Sequence, residues 1–205
     1  MMRSVETVAF GQLQITFDGR VLRPRSWTQA QSAWASEIMA TAPAGQILEL
    51  CAGAGQIGLL AVLGSTRCLL CVDVSPVACE YARANAEAAG LTHRVEVREG
   101  PMQSVLRDGE RFAVVIADPP WVPRDSVGRY PEDPRLAIDG GDDGMDLAAA
   151  CVEVARRHLM PGGALLIQLG TVAQVDALRE MELGDLEVTE VRWYDDGVLV
   201  RLDLS

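Results

Sequence analysis

At 205 residues the chain is long enough to bury one good core and too short for two comfortable domains. Its 49% hydrophobic and 23% charged residues fit an ordinary globular protein, and a net charge of −11 does not suit a surface that tracks phosphate backbones. Nucleic acid is therefore a disfavoured partner, no apolar run reaches membrane-spanning length, and the opening residues Met1 to Glu6 lack the apolar core of a signal peptide.

In chain order, residues 5–24 alternate loosely between turn signals at Phe10-Gly11, Asp18-Gly19 and Pro24, which predicts a β-hairpin. Thr28 is placed to cap a helix reaching about Ala40, broken by Ala42-Pro43-Ala44-Gly45. From there strands and helices alternate: a strand over 46–51, a helix over 56–63 and a strand over 68–72. A further helix opens at Ser75-Pro76 and stops at Gly90. Cys68 and Cys71 form a C-x-x-C, but on a strand they face opposite ways, with no second pair and no histidine beside them. Buried thiols are expected rather than a metal site, and five scattered cysteines make a reducing cytoplasm the expected compartment.

Strands are predicted over 94–98 and 112–117, followed by a long Pro-, Gly- and Asp-rich loop over 121–143 of the kind that serves as a lid or binding segment. A helix follows over 144–159, a turn at Pro161-Gly162-Gly163 and a buried strand over 164–169. Thr171 with Gln174 then marks a capping box. Strands over 186–194 and 198–204 close the chain, joined by Asp195-Asp196-Gly197. The fold class is α/β: a doubly wound, mostly parallel sheet whose C-terminal hairpin adds an antiparallel strand at one edge. It reads as a single domain over 1–205, with 1–44 as lead-in and 45–205 as core.

Two stretches carry chemistry. Glu49-Leu50-Cys51-Ala52-Gly53-Ala54-Gly55 is a strand end and glycine turn pointing at a helix N-terminus, and Asp73 ends the next strand, where a carboxylate suits ribose hydroxyls. Those residues indicate an adenosine-containing cofactor, either nicotinamide or S-adenosyl-L-methionine (SAM). Glu49 favours SAM, because a carboxylate there suits its cationic end. The second stretch is Asp118-Pro119-Pro120-Trp121. Two prolines end the apolar strand and present an acid, a carbonyl and an indole in a rigid loop. Asp118 and the Pro119 carbonyl can each accept an N–H of a planar NH2 group. That frees its lone pair, while Trp121 stacks on the plane. Tyr130 in the long loop is a candidate lining residue for the acceptor, with a plain surface tyrosine as the alternative.

The combination of Glu49–Gly55, Asp73 and Asp118-Pro119-Pro120-Trp121 resembles the class I SAM-dependent methyltransferases, specifically the amino-group branch with [DN]-P-P-[YFW]. Val21-Leu22-Arg23-Pro24-Arg25, the run from Leu136 to Asp146, and Leu159-Met160-Pro161-Gly162-Gly163 are similar to the release-factor glutamine methyltransferase (HemK-type) family. The resemblance is to that family's catalytic domain, with D-P-P-W in place of N-P-P-Y. It implies a Rossmann-like seven-stranded sheet and SAM as cofactor. It places cofactor contacts at Cys51, Ala52, Gly53, Ala54, Gly55, Asp73, Met102 and Asp118, and an acceptor loop at Asp118, Pro119, Pro120 and Trp121. Met102 stands where an aromatic residue often covers the adenine, and Pro101 where an acid is common. The expected acceptor is a protein glutamine or a small molecule. A nucleic-acid amino group, or a SAM-binding subunit that needs a partner, remains the alternative.

Overall fold

The structure, a computed structural model, describes residues 4–205, so the first three residues of the N-terminal stretch lie outside it. Strands β1 (Glu6–Phe10) and β2 (Leu13–Phe17) form the expected hairpin, turning at Gly11 with φ +58°. A short 3-10 turn, Ser26–Thr28, leads into α1 (Gln29–Thr41). Thr28 occupies the N-cap position, but its hydroxyl donates back to the Arg25 carbonyl at 2.8 Å, so the helix has no side-chain cap. At the other end the Arg67 guanidinium donates to the carbonyls of Met39, Ala42, Pro43 and Gly45, covering groups the helix leaves unpaired.

The rest alternates as the sequence implies: β3 (Gln46–Leu50), α2 (Gln56–Val62), β4 (Leu69–Asp73), α3 (Pro76–Ala88), β5 (Val95–Glu99), α4 (Met102–Val105) and β6 (Phe112–Ala117). After the long loop come α5 (Arg135–Ile138), α6 (Asp146–His158), β7 (Leu159–Leu169), α7 (Val172–Glu180), β8 (Leu186–Tyr194) and β9 (Gly197–Leu204). Seven strands form one sheet in the order β5-β4-β3-β6-β7-β9-β8, and only β9 runs against the others. Every residue of β6 is buried, because helices cover both faces of the sheet there. The hairpin, α1, α2 and α3 pack on one face around Phe10, Trp34, Ile57 and Ile116. Helices α4, α6 and α7 pack on the other around Leu50, Val115, Cys151 and Leu178.

Two local expectations are corrected here. Pro161-Gly162-Gly163 is not a turn before the strand but an irregularity inside it, since Leu159 already pairs with Phe112 before Ala164 pairs with Val114. The long loop holds a 3-10 turn at Arg124–Arg129, helix α5 and a bridge between Val122 and Asp139. Of the C-x-x-C pair, Cys71 is buried but Cys68 is exposed, because the strand begins one residue after it. Among the described residues no helix is long and apolar enough to cross a membrane.

Candidate active site

Strand β3 has β4 on one side and β6 on the other, so the chain order reverses at its carboxyl end, and the crevice of a doubly wound sheet forms there. A cavity of about 670 Å³ lies at that point, lined by residues that follow four consecutive strands of the sheet. Cys51 and Gly53 follow β3, Asp73 to Ser75 end β4, Gly100 to Gln103 follow β5, and Asp118 and Pro120 follow β6. Its rim comes from Arg20, Val21 and Leu22 of the lead-in, Arg124 and Pro134 to Ala137 of the long loop, and Asp146 and Leu147 of α6.

The glycine turn is a tight reversal. Cys51 has φ +56°, a left-handed conformation costly for a side chain other than glycine, and Gly53 and Gly55 follow at +54° and +80°. Nothing lies within 4 Å of where a Cβ on Gly53 would sit, so the bare backbone faces open cavity. The turn is held from three sides. The Gly53 N–H donates to Asp73 Oδ2 at 2.8 Å, the Ala54 carbonyl accepts from Asn85 at 3.0 Å, and Gly58 donates to Glu49 Oε1 at 2.8 Å.

Of the expected site residues, Cys51, Gly53, Asp73, Met102, Pro120 and Asp118 line the cavity. The others do not, for identifiable reasons. Glu49 is 2% exposed and turned beneath the turn, accepting from the Gly58 N–H and from the Cys71 thiol at 3.2 Å; burial pushes its carboxyl up to about 7. It supports the loop instead of reaching a cationic ligand. Ala52 and Ala54 are buried in the core, and Gly55 packs its Cα side against Leu59 and Ala82. Pro119 is buried, although no backbone N–H among the described residues donates to its carbonyl. Trp121 lays its indole over Gly170 at the end of β7, a place open only because Gly170 has no side chain. Tyr130 is 42% exposed and away from the cavity, in the segment that closes the 3-10 turn.

Asp118 sits on the cavity floor, where burial pushes its carboxyl up to about 7. Its Oδ1 accepts from the Gln168 amide at 2.7 Å. Asp73 is also raised by burial, opposed by N–H donors from Ser75, Gly53 and Val74. The Cys51 thiol is held protonated by its contact with the Cys151 thiol and by burial. Arginines at the rim are already engaged: Arg20 with Asp18 at 2.6 Å, Arg124 with Asp142 at 2.6 Å, and Arg135 with Asp139 at 3.0 Å. That leaves Asp73, Asp118 and Asp146 as cavity carboxylates without a cationic partner among the described residues.

Sequence reasoning missed Gln56, Gln103, Asp146, Gln168 and Gln174. Gln168 carried a signal, a lone polar residue in the apolar run 164–169, and Gln174 was read only as half of a capping box. Thr171 does accept from the Gln174 N–H at 3.2 Å. The Gln174 side chain, however, accepts from the Gly170 N–H at 2.9 Å and donates to the Trp121 carbonyl at 2.8 Å, tying the acceptor loop to α7.

The family described as "Conserved hypothetical protein 95" matches residues 10–129. The chain belongs to this family. It is 27% identical over 173 residues to the release factor glutamine methyltransferase of Clostridium acetobutylicum, covering 81% of this chain and 61% of that protein. It is 33% identical over 137 residues to the ribosomal protein uL3 glutamine methyltransferase of Burkholderia pseudomallei, covering 62% of this chain and 45% of that one. The chain therefore spans roughly half the length of these curated relatives. Among solved structures, the hMettl16 catalytic domain in complex with the MAT2A 3'UTR hairpin 1 superposes with a TM-score of 0.73 at 16% identity, over 94% of this chain and 74% of that one. That neighbour shares the fold of this chain.

The residues that line the cavity fit SAM. Gln56 lines the cavity with its Oε1 buried and without a donor among the described residues, an acceptor suited to the ammonium of the methionine part. Asp73, oriented by the Gly53 and Ser75 N–H groups, keeps lone pairs for ribose hydroxyls. Val74, Pro101, Met102 and Leu147 provide apolar walls for a flat base.

Proposed function

We propose that the protein methylates a planar amide or amino nitrogen of a protein side chain, glutamine-like, or of a small molecule. The observation that carries this reading is that Asp118 and the glycine turn open into one cavity. SAM supplies an electrophilic methyl group. Gly53, Gln56, Asp73 and Met102 would hold it, and Asp118 would face the acceptor.

Asp118 is the only residue of its loop that offers an ionisable acceptor to the cavity. Accepting an N–H from the nitrogen draws electron density toward it and lets the lone pair leave conjugation. A carboxyl titrating near 7 also suits a group that takes up the proton the nitrogen must lose. Trp121 would act at the edge of the acceptor site, because its indole is committed to Gly170.

The names of the curated relatives support a glutamine acceptor. Net charge and the engaged rim arginines weigh against a polyanion. A nucleobase amino group is the second reading, favoured by the Asp118 loop itself and by the RNA hairpin bound to the structural neighbour. Either reading fits the cytoplasm that the scattered free cysteines suggest. Incubating the protein and labelled SAM with cell extract, then sorting label into protein, small-molecule and nucleic-acid fractions, separates them. Asp118→Ala is expected to abolish transfer while SAM binding, followed by calorimetry, persists; joint loss of both would count against the proposed role.

A further inference from the structure

Strand β7 is apolar from Ala164 to Leu169 with one exception, Gln168, which is 2% exposed. Ala117 of β6 lies opposite Ile167 of β7, so the next residues of both strands, Asp118 and Gln168, come side by side at the carboxyl edge of the sheet. There the Gln168 amide donates to Asp118 Oδ1 at 2.7 Å, the one side-chain hydrogen bond that Asp118 receives among the described residues. The other end of the same amide is unpaired: Oε1 is buried without a donor among the described residues. A methionine or leucine would fill this volume without stranding an acceptor, so packing does not explain a carboxamide here.

We propose that Gln168 is the positioning residue of Asp118, holding Oδ1 against the sheet edge so that Oδ2 is left for the acceptor nitrogen. This rests on the role proposed for Asp118 above. The titratable groups facing Asp118 from the neighbouring strand and turn are Glu49 and Cys51, and Asp73 and Asp146 line the same cavity. All are acids, and the cavity arginines pair elsewhere, so the Gln168 N–H at 2.7 Å is the donor on hand to oppose the burial that raises Asp118. With Asp118 ionised, only the NH2 end of Gln168 can face it. When Asp118 is protonated on Oδ1, a half-turn of the amide presents Oε1 to the new O–H, which gives the unpaired oxygen a use in the second state.

The test is the titration of Asp118 in the full chain, followed by carboxyl-carbon NMR of labelled aspartate and assigned by the signal lost in Asp118→Asn. Gln168→Met keeps the volume and removes the donor. It is expected to raise the Asp118 midpoint by roughly one pH unit while SAM affinity and melting temperature hold. Gln168→Glu is expected to split the titration into two separated steps, one of them above the wild-type midpoint. A folded Gln168→Met with an unmoved midpoint overturns the proposal. If that variant does not fold, a single unshifted step in Gln168→Glu overturns it instead. Failure of the proposed function would look different: Asp118→Ala would still transfer methyl groups while the Asp118 midpoint continued to respond to residue 168.

Discussion

Two carboxyl groups on adjacent strands are both pushed up to about 7 by burial, yet they do different things. Glu49 is enclosed beneath the turn it braces, whereas Asp118 opens into the cavity. For Asp118 the expected consequence is an activity limb: transfer should rise with pH through about 7 as the carboxylate forms, and Asp118→Asn should remove the limb. For Glu49 it is a stability effect. A carboxyl whose folded value lies above its usual one stabilises the fold below the usual value, and that contribution is lost as pH rises to about 7. Glu49→Gln cannot ionise, so its melting temperature should fall less between about pH 5 and about pH 8 than that of the parent protein. An identical fall in both would refute the assignment.

Elements succeed or fail as sequence signals according to how local their causes are. Strand β6 is readable to the residue, because an apolar run meets two prolines. The Ser75-Pro76 helix start is equally legible, and Ser75 does accept from the Ala78 N–H at 3.3 Å. The irregularity at Pro161–Gly163 is not, since only pairing with β6 shows that the strand has already begun at Leu159. The spacing of the glycine turn and of Asp118 puts both at strand ends, and Cys51, Gly53 and Asp118 do line the cavity there. The placement of Trp121 is not legible: it depends on Gly170 and Gln174, far along the chain and brought close only by the sheet. Gln174→Ala, which deletes the side-chain bonds from α7 to Gly170, Trp121, Asp143 and Gly144, should destabilise the protein by about 1–3 kcal/mol. Trp121 emission should shift while SAM affinity changes little, because neither residue lines the cavity. A large loss of SAM binding would show that the acceptor loop and cofactor pocket are not separable.

Over the whole molecule, opposed titrations set a pH window. Arg20 holds Asp18 well below the usual carboxylate range, and Arg98 holds Glu110 down to about 2. Stability from such depressed groups is present above their usual values and lost as pH falls through the folded ones. Glu49 and Asp118 act in the reverse sense, losing their contribution as pH rises from about 4 to about 7, and the net charge of −11 adds self-repulsion on that side. Urea midpoints should therefore be higher near pH 5 than near pH 8, and a flat profile would contradict the two raised carboxyls. The cavity roof belongs to the same scale, since it is assembled from the lead-in and the long loop, segments distant in sequence. Arg25 and Asp133 join them through a partly exposed ion pair of 2.7 Å. Guests would enter and leave past a fastening that salt can loosen. Dissociation of the demethylated cofactor should quicken a fewfold as ionic strength rises, and Asp133→Asn should be fast already and indifferent to salt.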